Sequence, residues 1–96
     1  MTNVSPKTRP TAVLDRQIDP MPLYKVLLHN DEVNIMEHVV KALMKVFRFE
    51  QQECEQIMIE AHRNGLSLCI VEPLEQAEFH QDKLRSYSLV TTIEPE

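Results

Sequence analysis

Three residues of this 96-residue chain have the chemistry to hold a small cation between them. Asn30 and Asp31 follow a strand-like run, Tyr24 to Leu28, and belong to a polar corner that reads His29-Asn30-Asp31-Glu32. His62 comes much later, where a helical pattern ends. An amide oxygen, a carboxylate and an unprotonated imidazole nitrogen are all hydrogen-bond acceptors. Brought together they would suit an ammonium group, because bonds to a charged donor are the strong kind. The same residues also have plainer uses. Asn and Asp close turns by bonding nearby backbone, and a histidine at a helix end meets the negative pole of the dipole. The residues alone leave both readings open.

Other chemistry is poorly supported. His29, His38, His62 and His80 lack a tight ligand spacing, and no cysteine lies within four residues of any of them, so no metal site is expected. Cys54 and Cys69 both fall on apolar faces and read as small buried hydrophobes in a reducing compartment. Neither is marked as a thiolate nucleophile. Asp31 and Glu32 are adjacent on an extended corner and point apart, with no opposing partner for acid–base work. Gly65 is the single glycine, which leaves no phosphate-cradling loop. The chain is therefore expected to be no enzyme, with no catalytic residue, metal or cofactor.

The totals narrow the classes further. A net charge of −5 argues against binding nucleic acid, which needs a basic face. No apolar run approaches the ~18 residues of a membrane span. One small domain fits this length. Residues 1–22 contain Pro6, Pro10, Pro20 and Pro22 with little apolar periodicity, and are expected to be a disordered extension, either inert or gripped by a partner. Residues 23–94 form the folded core.

The elements must present the corner and His62 to each other. Leu23 to Leu28 alternates as a strand, with Tyr24, Val26 and Leu28 on one face. Asn34 reads as a helix N-cap, with Glu37 completing a capping-box pattern. Met36, Val39, Val40, Leu43, Met44 and Phe47 then follow helical spacing. A second helix, Glu50 to Arg63, carries the stripe Cys54, Ile57, Met58 and Ala61, and Asn64-Gly65 stops it. Leu66 to Val71 is a second strand. A third helix runs from Pro73 to Arg85, with Leu74, Ala77, Gln81 and Leu84 inward, and Tyr87 to Ile93 is a third strand. The order β-α-α-β-α-β implies an α+β fold, a small three-stranded antiparallel sheet with three helices on one face.

With these segments in hand, a resemblance emerges. YKVLLHNDEVNIMEHVV, the IMIEAHRNG end of the second helix and LSLCIVEPLEQAE resemble, in order and spacing, the ClpS family, adaptors that deliver N-degron substrates to Clp AAA+ unfoldases. The resemblance covers Leu23 to about Glu94. It implies a fold similar to the C-terminal domain of the bacterial ribosomal stalk protein. It also implies that Asn30, Asp31 and His62 bind the α-ammonium of a substrate's first residue. Met36, Val39 and Met58 would line the pocket for that residue's side chain, with Leu28, Asn34, Val40, and Leu89 or Val90 contributing. Glu75 matches a position that contacts the unfoldase N-terminal domain. His80 stands where a Lys is usual there, with Lys83 as a substitute. Glu32, Val33, Ile35 and His38 depart from the usual Asp, Tyr, Pro and Phe, and the segment from Leu84 to Leu89 is shorter than in well-known members. These departures suggest a cyanobacterial or plastid type, with a partner of ClpC rather than ClpA type and a cytoplasmic or stromal location. They also leave room for a purely structural module that holds the unfoldase without reading N-degrons.

Overall fold

β1, Leu23–His29, is the middle strand of a three-stranded antiparallel sheet. The computed structural model describes residues 21–96; most of the expected tail, residues 1–20, lies outside the described residues. After β1 come α1 (Met36–Phe47), α2 (Gln51–Asn64), β2 (Leu66–Pro73), α3 (Leu74–Ser86) and β3 (Thr91–Pro95). The sheet order is β2-β1-β3. Val26 pairs with Ile70 on one side and Ile93 on the other, and Leu28 with Ser67 and Thr91. Val26 and Leu28 point into the core with Val39, Leu43, Cys54, Ile57, Ala61, Cys69, Ala77, Leu84 and Leu89. The three helices therefore cover one face, and Leu66 and Leu68 are left exposed on the other. Between Val26 and Leu27 the register against β2 slips by one residue, so Cys69 is an extra residue there, a bulge.

The expected order holds, and the differences sit at element ends. α1 starts at Met36, with Ile35 in the N-cap position and no side-chain cap. Asn34 does not cap it, because its amide is engaged elsewhere. The expected third strand begins too early. Tyr87 caps α3, and Ser88 takes a positive φ of 68°. The Tyr87, Ser88 and Leu89 N–H groups donate to the Leu84, Arg85 and Leu84 carbonyls, which satisfies the last turn of α3 and delays pairing until Thr91. Leu74 is exposed, whereas Ala77 and Leu84 are buried as the spacing requires. Gln81 is half-buried, and its amide donates to the Thr91 carbonyl.

Candidate functional site

The corner after β1 is held from two directions. The His29 N–H donates to the Val90 carbonyl and the Asn30 N–H to the Gly65 carbonyl, both at 2.9 Å. The second bond ties the corner to the end of α2. Gly65 ends that helix with φ 91° and donates its own N–H to Ala61, a geometry that L side chains resist. His62 lies one turn earlier. A stiff strand, a helix stop and one backbone bond thus bring Asn30, Asp31 and His62 to a single cavity of about 360 Å3.

Asp31 makes a tight local turn. One carboxylate oxygen accepts the Val33 N–H at 2.6 Å and the Asn34 N–H at 3.2 Å, and the other accepts Asn34 Nδ2 at 2.5 Å. The Val33 backbone N–H, then the Asn34 amide, hold the carboxyl below its ordinary range. Asn34 Nδ2 also donates to the Ser88 carbonyl at 2.9 Å. Asn34 is thus a brace between the corner and the turn after α3. His38, in the first turn of α1, makes a parallel brace by donating Nε2–H to the Tyr87 carbonyl at 2.7 Å.

The interior of the cavity is apolar. Leu28, Val39 and Leu89 are buried in its wall, and Met36 and Met58 close one side. Nine of the residues that the resemblance assigned to amine and side-chain binding line this one space, Leu89 rather than Val90 among them; Val40 does not, and faces the other side of α1. The cavity is also lined by His29, Glu32, Ile35 and Ala61, which the sequence reading did not assign to the site. Ala61 was legible, since it sits in the apolar stripe of α2 beside His62. Glu32 and Ile35 carried a different signal, their departure from the family pattern, although the place of Ile35 depends on where α1 starts. Acceptors at the mouth and an apolar interior suit a compact ligand with an ammonium on an apolar body.

Nucleophilic chemistry has no support in the geometry. Cys54 and Cys69 are both buried, and burial pushes the Cys69 thiol up to about 12. Among the described residues no three His, Cys, Asp or Glu side chains are grouped to hold a metal ion.

Glu75, His80 and Lys83 sit on α3, and none of them lines the cavity. Glu75 is exposed beside a shallow hollow shared with Tyr24, Leu74 and Glu78. His80 turns inward, donating Nδ1–H to the buried Glu72 at 2.6 Å and packing its ring on Phe47. Lys83 holds its ammonium 5.6 Å from the exposed Phe79 ring.

Comparison with known proteins gives a consistent match. Residues 19–92 match the family model described as ATP-dependent Clp protease adaptor protein ClpS. An ATP-dependent Clp protease adapter protein ClpS from Gloeobacter violaceus is 43% identical, over 90% of this chain and 97% of its own. A chloroplastic relative from Chlamydomonas reinhardtii, CLPS1, is 40% identical over 91% of this chain and 54% of its own length. Among solved structures, Agrobacterium tumefaciens ClpS2 bound to L-phenylalaninamide is similar with a TM-score of 0.70. It is 32% identical, and the match covers 80% of this chain and all of that one.

Proposed function

The chain belongs to the ClpS family of ATP-dependent Clp protease adaptor proteins, and from that premise we propose how it works. The cavity binds the first residue of a substrate protein, and the adaptor delivers that substrate to a Clp AAA+ unfoldase without turnover of its own. The observation that carries this reading is the convergence of Asn30, Asp31 and His62 at the mouth of an apolar space walled by Leu28, Met36, Val39, Met58 and Leu89. The ammonium of the first residue donates to the Asn30 amide oxygen, the Asp31 carboxylate and an unprotonated His62 nitrogen. Its side chain enters the cavity, where full burial of a Leu or Phe contributes roughly 1.5–3 kcal/mol. The ligand of the Agrobacterium relative, L-phenylalaninamide, combines the same two features, an α-amine and an apolar side chain. Asn34 positions Asp31 and the wall rather than meeting the ligand first, since its amide is already shared between Asp31 and Ser88.

Delivery uses the α3 face, where Glu75 and Lys83 are exposed and His80 is braced on Glu72 behind them. The partner is the N-terminal domain of a ClpC- or ClpA-type unfoldase. The ClpC type is the one that the departures from the family pattern suggest, and the match to a chloroplastic relative supports a cytoplasmic or stromal setting.

The test is fluorescence polarisation with peptides beginning in Leu, Phe, Tyr, Trp or Ala, each with a free or an acetylated amine. Bulky first residues with a free amine are expected to bind. Acetylation removes the charge and leaves buried acceptors unpaired, a cost of about 1–3 kcal/mol for each such group. Asp31→Ala and His62→Ala are each expected to weaken binding at least fivefold while the circular dichroism spectrum is unchanged. Equal affinity for free and acetylated peptides sinks the reading.

A further inference from the structure

Beyond the wall formed by Met36 and Met58 lies a second hollow, a groove between α1 and α2 of about 500 Å3. The same two methionines line both spaces, so the groove begins where the first-residue cavity ends. Its floor is Val40, Met44 and Ile59. Met36 and Ile59 are 54% and 41% exposed, so an apolar strip on the helix pair is open to solvent. The edges are charged. Glu37 pairs with Lys41 at 3.5 Å, while Glu55 takes a bond only from the neutral Gln51 amide, so the rim is net negative.

Resting on the first-residue reading, we infer that this groove receives the substrate chain just behind its first residue, taking an apolar side chain from the third or fourth position and favouring a basic neighbour beside Glu55. Continuity fixes the occupant. A substrate anchored by its ammonium and first side chain continues past the shared Met36–Met58 wall. α1 rises ~1.5 Å per residue, which sets Val40 and Met44 about 6 and 12 Å beyond Met36. An extended chain advances ~3.3 Å per residue, so its third and fourth residues reach that stretch. Methionine walls suit the task, because unbranched thioethers repack around side chains of different shape.

The experiment compares Leu-first, free-amine peptides that carry Ala, Leu, Lys or Glu at positions three and four, alongside L-phenylalaninamide as a ligand with no chain behind it. Leu at the third or fourth position is expected to tighten binding roughly three- to tenfold over Ala, the scale of a partly buried side chain. Ile59→Ser should abolish that gain and leave the affinity for L-phenylalaninamide within about twofold of the parent's. Glu55→Lys should reverse a preference for Lys over Glu, and both side chains are peripheral enough for circular dichroism to certify the fold. Equal affinity for all downstream sequences overturns the inference. So does an Ile59→Ser variant that loses self-association or unfoldase binding while the gain from Leu persists. If L-phenylalaninamide itself fails to bind, the first-residue reading falls and takes this inference with it, an outcome distinct from the other two.

Discussion

Asp31 answers the question its residue type left open. A carboxylate offers about four lone-pair sites. Val33 N–H, Asn34 N–H and Asn34 Nδ2 occupy three of them in this turn. The local turn and an ammonium contact are therefore compatible: the turn orients the carboxylate and leaves about one site for a ligand. Its carboxyl is held below the ordinary carboxylate range, mainly by the Val33 N–H. A carboxyl with a depressed folded value stabilises the fold above the unfolded value and loses that contribution only as pH falls through the depressed one. Asp31 thus stays charged throughout the neutral range, and the pH dependence of binding belongs to other groups. The peptide α-amine loses its proton above about pH 8. Peptide affinity is expected to fall on the alkaline side, as the ligand's ammonium loses the charge that strengthens its hydrogen bonds. His29 also lines the cavity, with Nε2 and Thr92 Oγ1 2.7 Å apart, so the part His62 plays at the amine needs its own variant. His62→Gln should weaken binding and leave the alkaline fall in place, as read by polarisation from pH 7 to 9. An affinity unchanged in His62→Gln excludes His62 as a partner of the ammonium.

At the scale of elements, the site depends on how three ends meet: the end of β1, the stop of α2 and the turn after α3. The α2 stop was plain in the sequence, since Asn64-Gly65 follows a clean apolar stripe. A Cβ built on Gly65 meets no atom within 4 Å, so a side chain there is penalised by backbone conformation alone. Gly65→Ala is therefore expected to cost ~1–2 kcal/mol, which for a domain of this size lowers Tm by about 4–8 °C per kcal/mol. Urea and thermal melts measure this directly, and an unchanged midpoint would show that the positive φ is not required. The start of α1 was less legible. Asn34 has the sequence of a cap, and what outbids the cap is a carbonyl 54 residues away, Ser88, together with Asp31. His38, which breaks the family pattern as a sequence, has an explanation in space. It reaches Tyr87 and, with Asn34, holds the short α3–β3 turn against α1. That turn carries Leu89 into the cavity wall, which no local pattern in Tyr87 to Ile93 announces. Residues whose partners are local were readable; residues whose partners are remote carbonyls were not.

Across the whole molecule, the apolar spacing was enough for the order of elements and the single core, because period-two and helical stripes point to burial without knowledge of partners. The groove behind Met36 and Met58 was not readable, since it is the space between two helices and depends on how they pack. Site and core share elements. His62, Met58 and Cys54 all lie on α2, and Cys69 lies on β2 at the bulge, with both thiols inside the one core cluster. Burial raises both thiols, Cys69 to about 12, and only the thiolate reacts. Alkylation at pH 8 must therefore wait for the core to open, and its rate reports how often that happens. A ligand that binds only the closed molecule suppresses opening by the factor 1 + [L]/Kd, about 100-fold at 100 times Kd or ~2.7 kcal/mol. A free-amine Leu-first peptide at that excess is expected to slow labelling of both cysteines about 100-fold, and its acetylated counterpart to leave the rate unchanged. Mass spectrometry of the labelled chain resolves the two sites. Slowing at both cysteines in parallel would make the amine clamp, the apolar cavity and the core one cooperative unit. Slowing at Cys54 alone would confine that unit to the helices, with the β2 edge opening independently.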